Sequence, residues 1–127
     1  GTAASRGIAL RAEGGASCLG EEFLLERALR NLLDNAIEFS PDGGEVGILL
    51  REEGGRAVVE VSDRGPGVPD FARDKVFDRF YSLPRPGGGP KSSGLGLPFV
   101  REVARLHGGV VELVAREGGG TIARMRL

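Results

Sequence analysis

The stretch Asn31-Leu32-Leu33-Asp34-Asn35-Ala36 decides the fold, because it places two amides one helical turn apart on a strongly apolar segment. Ser40-Pro41-Asp42-Gly43-Gly44 predicts where the helix around that stretch ends. The helix is predicted over Glu21 to Phe39, and apolar residues recur along it at helical spacing to form a broad face: Leu25, Ala28, Leu29, Leu32, Leu33, Ala36 and Ile37.

The two amides, Asn31 and Asn35, share one helix face because residues at i and i+4 are neighbours there. Amide oxygens are hard ligands that suit Mg²⁺, which keeps several waters and takes one or two protein oxygens. Taken alone, the pair is more often two ordinary polar residues at the border of an apolar face. The functional interpretation therefore depends on motifs that lie further along the chain.

Two glycine-containing turns come after the helix. In Asp63-Arg64-Gly65-Pro66-Gly67, an Asp at a strand end can accept a hydrogen bond from an exocyclic amine, and the glycines let the backbone approach a flat ring. A plain strand-to-turn Asp is the commoner case. Ser92-Ser93-Gly94-Leu95-Gly96-Leu97 leads into a helix whose first N–H groups attract phosphate, although an ordinary glycine-rich helix start is equally compatible.

Two other nucleotide-binding motifs are excluded because glycines that they require are missing. A P-loop ending at Lys91-Ser92 needs glycine where Arg85 and Pro90 stand. Two turns begin like a dinucleotide-binding fingerprint, but each lacks its third glycine: Asp70 stands there after Gly65-Pro66-Gly67, and Phe99 after Gly94-Leu95-Gly96. Neither motif is present.

The remaining pattern predicts five strands and three helices, an α+β fold of helices on a mixed five-stranded sheet in two layers. Its elements besides the first helix are strand 7–12, the hairpin 46–51 and 56–62, helix 70–78, loop 81–93, helix 96–107, and the closing hairpin 110–116 and 121–127.

Composition narrows the function classes. The 127 residues suffice for one domain, and 40% of them are hydrophobic. The formal charge of −1 gives no general attraction for nucleic acid, which is therefore not expected as a partner. The one cysteine, Cys18, is expected to pack as a small hydrophobe in a reducing compartment. The only histidine, His107, is expected at a helix C-terminus, where its partial positive charge would interact favourably with the helix dipole.

In this order, the motifs resemble the catalytic and ATP-binding domain of sensor histidine kinases, in the superfamily shared with gyrase and Hsp90. Residues 31–39 resemble the N box, 63–67 the G1 box, 76–81 the F box and 94–97 the G2 box. The resemblance covers nearly the whole chain and implies the Bergerat fold, a two-layer α/β sandwich with about three helices on one face of the sheet.

The resemblance also implies site roles. Asn35, assisted by Asn31, would hold the Mg²⁺ that bridges the ATP phosphates, and Asp63 would bind the adenine amine. Residues 82–93 would form a lid over the site, with Phe80 as its anchor. The further residues implied in cofactor binding are Phe39, Gly65, Gly67, Arg79, Tyr81, Arg85, Lys91, Ser92, Ser93, Gly94, Leu95, Gly96 and Leu97.

Two positions differ from the residue that many family members carry, and a third distinguishes the ATP-hydrolysing members from the others. Many members carry Lys where Glu38 stands and Arg where Ser82 stands, so two cations near the phosphates are missing. A degenerate, non-catalytic binding module of the same fold is therefore the alternative. ATP-hydrolysing members carry Glu at the position of Asn31, where an amide cannot serve as general base. A hydrolytic relative is the weaker third possibility.

These implications describe a domain cut from a longer protein. Residues 1–127 are expected to form the catalytic and ATP-binding domain without the dimerisation domain and its phosphoacceptor histidine. The partners implied are ATP with Mg²⁺, that dimerisation domain, and a response regulator reached through it. The domain is expected to be monomeric, not membrane-inserted, and cytoplasmic within a membrane-anchored sensor.

Overall fold

The computed structural model describes residues 9–15, 20–67, 75–77 and 96–127. The described elements are strand β1 (Ala9–Gly14), helix α1 (Glu22–Phe39), strands β2 (Glu45–Glu53) and β3 (Arg56–Asp63), a 3-10 turn (Lys75–Phe77), helix α2 (Gly96–Leu106), and strands β4 (Val110–Ala115) and β5 (Thr121–Arg126).

The strands form one sheet in the order β1-β2-β3-β5-β4. Strand β1 runs parallel to β2, and all other neighbours are antiparallel. The predicted mixed five-stranded sheet is thus confirmed. Because β5 inserts between β3 and β4, the end of β3 and the beginning of β5 lie side by side, with Asp63 opposite Thr121. This pairing builds the candidate site.

Both helices pack on one face of the sheet, as predicted. The apolar face of α1 meets inward residues of the strands, and Leu32 and Ala28 are almost completely buried. Residues from β3, β5 and α2 complete the same core, including Val59, Val61, Ala123, Met125, Val100 and Val103. The core therefore holds α1, which carries both amides, against the strand that ends at Asp63.

The end of α1 is set by local chemistry. Ser40 is extended (φ −77°, ψ 145°), the conformation that a following proline imposes on its neighbour. Its backbone N–H donates to the carbonyl of Ala36 at 3.0 Å, and its buried hydroxyl donates to the same carbonyl at 2.8 Å. These bonds satisfy the last turn of the helix, so α1 stops directly after Phe39.

The hairpin between β2 and β3 turns at Gly54 and Gly55, which both have positive φ (58° and 80°). Two successive positive φ angles are the requirement of a two-residue type I′ turn, which only glycine meets at no steric cost. The predicted hairpin is therefore confirmed, with longer strands than predicted: β2 covers Glu45–Glu53, and β3 continues to Asp63.

The face of the sheet away from the helices carries a row of alternating charges. Glu60 on β3 accepts from Arg51 at 3.3 Å and from Arg124 at 2.7 Å, and Arg124 also donates to Glu112 at 3.2 Å. Partial burial would raise the pKa of Glu60, but the hydrogen bonds and charges of Arg124 and then Arg51 hold it below its ordinary value. These ion pairs explain how the centre of this sheet face accommodates a partly buried carboxylate.

Some predicted elements extend beyond the described residues. Of the strand predicted over 7–12, the structure describes Ala9 onward and continues it to Gly14. Of helix 70–78 it describes Lys75–Phe77, a 3-10 turn with Phe77 buried. Cys18 and loop 81–93 lie outside these ranges. Within the described residues, neither helix is long and apolar enough to cross a bilayer.

Candidate functional site

Asp63 is the buried acid at the end of β3, with 6% of its surface exposed. Its Oδ1 accepts the N–H of Gly65 at 2.9 Å, and the carboxylate also accepts the N–H of Thr121. Burial raises the pKa of Asp63 above its ordinary value, although these two N–H groups and the charge of Arg116 act in the opposite direction. The site thus contains a desolvated carboxyl whose orientation is fixed by the backbone.

The end of α1 and the turn after β3 are in direct backbone contact. A Cβ added at Gly65 would lie 2.3 Å from the carbonyl oxygen of Phe39, far below van der Waals distance. Only glycine permits this approach, and the same Gly65 supplies the N–H that orients Asp63. The structure therefore brings together three sequence-predicted residues, Phe39, Asp63 and Gly65.

Asn31 connects α1 to the first residue of α2. Its Nδ2 donates to the carbonyl of Gly96 at 3.5 Å. A glutamate at this position, ionised at neutral pH, would have no proton to donate to that carbonyl. The contact therefore suits an amide, and it leaves the Asn31 side-chain oxygen as an acceptor. Asn35, one turn further along α1, is partly exposed.

The first two residues of α2, Gly96 and Leu97, are both predicted site residues, but they differ in their surroundings. A Cβ at Gly96 would meet nothing within 4 Å among the residues that the structure describes. The side chain of Leu97, in contrast, is 9% exposed and belongs to the core. The Leu97 side chain thus has a packing role, and any contact with a ligand would come from its backbone N–H.

Nine of the predicted site residues lie outside the described residues. They are Arg79, Phe80, Tyr81, Arg85, Lys91, Ser92, Ser93, Gly94 and Leu95.

Two residues of the site, Thr121 and Gly120, are not predicted from the sequence, which places them only in or beside the closing hairpin. Thr121 is 8% exposed and donates its N–H to the Asp63 carboxylate. Gly120, with φ +107°, lies so close that an added Cβ would be 2.0 Å from the Asp63 carbonyl oxygen. The only signal in the sequence is the glycine run 118–120, which predicts a turn but does not indicate what packs against it.

His107 is structural, as expected, but not through charge. Its Nδ1 lies 2.7 Å from the carbonyl of Val103, and its Nε2 accepts the N–H of Glu21 at 3.0 Å. An accepting Nε2 and a donating Nδ1 define the neutral imidazole. The ring joins the end of α2 to the start of α1, so the expected charge–dipole role is replaced by a specific pair of hydrogen bonds.

Comparisons with known proteins agree with this geometry. The family model of histidine kinase-, DNA gyrase B- and HSP90-like ATPases matches residues 20–127. The sensor protein CreC of Escherichia coli (strain K12) is 50% identical over 107 residues, covering 84% of this chain and 22% of CreC. The sensor protein CutS of Streptomyces coelicolor is 39% identical over 128 residues, covering 98% of this chain and 31% of CutS. The chain thus spans between a fifth and a third of these relatives.

Solved structures show the same architecture. The mycobacterial sensor histidine kinase MprB superposes with a TM-score of 0.84 at 34% identity, covering 98% of this chain and 85% of that one. Full-length ShkA, solved with AMPPNP, gives a TM-score of 0.82 at 28% identity, covering 98% of this chain and 26% of ShkA. By motif order, fold and similarity along most of its length, this chain belongs to the family of histidine kinase-, DNA gyrase B- and HSP90-like ATPases.

Proposed function

We propose that this chain is the ATP-binding catalytic domain of a two-component sensor histidine kinase. It binds Mg–ATP and presents it for phosphoryl transfer to a histidine of a dimerisation domain, from which a response regulator takes the phosphoryl group. The observation that carries this proposal is the buried Asp63 carboxyl, fixed by two backbone N–H groups where α1, β3 and β5 meet.

Asp63 fits the amine of adenine. A carboxylate offers about four lone-pair sites, and two of them are taken by the N–H groups of Gly65 and Thr121. The remaining capacity suits a donor, and a buried acceptor gains strongly from such a bond because water does not compete for it. The close backbone contact between Gly65 and Phe39 would support a flat ring beside this carboxyl.

The side-chain amide oxygens on α1 are suitable ligands for Mg²⁺. Asn35 and the side-chain oxygen of Asn31 supply neutral oxygen ligands, the chemistry that a magnesium ion with several retained waters accepts. When bound, Mg²⁺ neutralises charge on the phosphate oxygens. The N-terminus of α2, an eleven-residue helix that begins at Gly96, would receive the phosphates on backbone N–H groups.

The acceptor histidine would belong to another domain. His107 is the only histidine in the sequence, and both of its ring nitrogens are engaged in hydrogen bonds between α1 and α2. It therefore cannot accept a phosphoryl group without breaking this link. The names of the relatives, sensor proteins and sensor histidine kinases, support a phosphorelay, and ShkA was solved with an ATP analogue.

Asn31 favours presentation of ATP over hydrolysis. Its NH₂ group donates to Gly96, and an amide does not take a proton from water at neutral pH. The domain would act as a monomer on the cytoplasmic side of a membrane-anchored sensor. The phosphoryl group of its bound ATP would go to the histidine of the dimerisation domain.

The test of this proposal is nucleotide binding together with labelling. A fluorescent ATP analogue is titrated with Mg²⁺ into the 127-residue protein, which is then incubated with γ-labelled ATP. We expect saturable binding, negligible ATP turnover and no stable phosphohistidine. Absence of saturable binding would support the degenerate module instead, appreciable turnover would support the hydrolytic relative, and phosphohistidine on this chain would contradict an external acceptor.

Nucleotide affinity is expected to fall on acidification. Burial raises the pKa of Asp63 above its ordinary 3.8, so the carboxylate that would accept the adenine amine is lost at a higher pH than for an exposed Asp. The measurement is an NMR titration of the Asp63 carboxyl carbon in nucleotide-free protein, compared with the pH profile of affinity. A carboxyl midpoint at or below the ordinary value would contradict this expectation.

A further inference from the structure

We propose that Arg116 is a positioning residue for nucleotide binding, which holds the end of β3 so that the Asp63 carboxylate faces the adenine amine. The inference rests on the proposed function. Arg116 is the first residue after β4, and its Nη1 donates to the backbone carbonyl of Asp63 at 3.5 Å. A side chain from the closing hairpin thus reaches the residue that would recognise adenine.

The backbone of Arg116 also organises the turn that packs on Asp63. Its N–H donates to the carbonyl of Gly120 at 3.0 Å, and its carbonyl accepts the N–H of Gly119 at 3.0 Å. Gly120 in turn lies against the Asp63 carbonyl, and the next residue, Thr121, donates to the Asp63 carboxylate. One residue therefore ties turn 116–120 to the end of β3 through both its backbone and its side chain.

Charge adds a second effect. Four charged residues lie on the segments that pack against Asp63: Arg116 and Glu117 on the closing turn, Arg64 next in the chain, and Glu38 beside Phe39 on α1. Burial raises the pKa of Asp63, while the N–H groups of Gly65 and Thr121 and the charge of Arg116 lower it. Loss of the Arg116 charge would therefore leave a larger fraction of Asp63 protonated at a given pH.

The experiment compares Arg116→Gln and Arg116→Lys with a matched control. Arg56 makes the same kind of bond, from Nη1 to the carbonyl of Gly108 at 2.9 Å, at the opposite end of β3. Arg56→Gln therefore removes an equivalent arginine–carbonyl bond away from the site. Two readouts are taken for each protein: the affinity for the Mg-bound fluorescent ATP analogue, and the titration of the Asp63 carboxyl carbon without nucleotide.

We expect Arg116→Gln to weaken nucleotide binding roughly three- to tenfold, the range of one lost hydrogen bond to a neutral partner. The midpoint of the Asp63 titration should rise in the same variant. Arg116→Lys should restore the midpoint and part of the affinity, because it retains the positive charge. Arg56→Gln should leave both readouts at wild-type values.

Unchanged affinity in Arg116→Gln would overturn the inference, and so would an equal loss of affinity in Arg56→Gln, which would indicate a general loss of stability. If the wild-type protein shows no saturable binding, the proposed function fails. The Asp63 titration then decides separately whether Arg116 acts on this carboxyl, since that readout needs no nucleotide.

Discussion

Asp63→Asn is expected to reduce the affinity for Mg–ATP by roughly 10- to 100-fold, the range of one hydrogen bond to a charged group. In the wild-type protein the carboxylate accepts the N–H of Gly65 and of Thr121 and would also accept the adenine amine. An asparagine has one acceptor and one donor end. Whichever way the amide is turned, its NH₂ meets either a backbone N–H or the adenine amine, and one donor is left facing another.

The same substitution is not expected to destabilise the protein. Because burial raises the pKa of Asp63, the folded state holds the ionised carboxyl less readily than the unfolded chain does. By linkage, this unfavourable contribution is present at neutral pH and disappears as the pH falls through the raised pKa. A neutral asparagine avoids it at every pH, so the loss of binding should occur without a lower melting temperature near pH 7.

Fluorescence titration and thermal unfolding of the same samples check both expectations. Asp42→Asn is the matched control, since Asp42 is an exposed acid in the turn after α1. It should bind nucleotide like the wild-type protein. Wild-type affinity in Asp63→Asn would contradict the assignment of this carboxyl to adenine, and a melting temperature several degrees lower would contradict the argument on burial.

Local sequence signals predicted those parts of the fold that depend on neighbouring residues. The apolar spacing located α1 to within one residue at its start, and Ser40-Pro41 located its end. The run Glu53-Gly54-Gly55 predicts the hairpin turn, and the structure confines it to the two glycines, because a type I′ turn needs positive φ at both of its positions. In each case the decisive interaction lies within a few residues along the chain, where periodicity and turn chemistry operate.

The second half of the site could not be predicted in this way. Thr121 reaches Asp63 because β5 pairs with β3, a contact between residues 58 positions apart in the chain. Nothing local in the closing hairpin indicates which strand it will lie beside. For the same reason the sequence predicts only a helix-dipole role for His107, whereas its Nε2 accepts the backbone N–H of Glu21, 86 positions away in the chain.

Gly120→Ala is expected to damage both stability and nucleotide binding, whereas Gly119→Ala should affect mainly stability. Both glycines have positive φ, 107° and 111°. An alanine at either position is expected to lose about 1–3 kcal/mol through backbone strain alone. A Cβ at Gly119 meets no described residue within 4 Å, but at Gly120 it would lie 2.0 Å from the Asp63 carbonyl oxygen.

The difference between the two variants therefore isolates the contact with Asp63. Relief of the clash at Gly120 requires the turn to move away from β3, which should add about 1–3 kcal/mol to the strain, as overpacking does elsewhere. The same movement would withdraw the N–H of Thr121 from the Asp63 carboxylate, so nucleotide affinity should fall in Gly120→Ala and hold in Gly119→Ala. Denaturant unfolding and nucleotide titration measure the two effects. Equal behaviour of the two variants in both measurements would show that the turn does not support Asp63, and that backbone strain alone accounts for the role of its glycines.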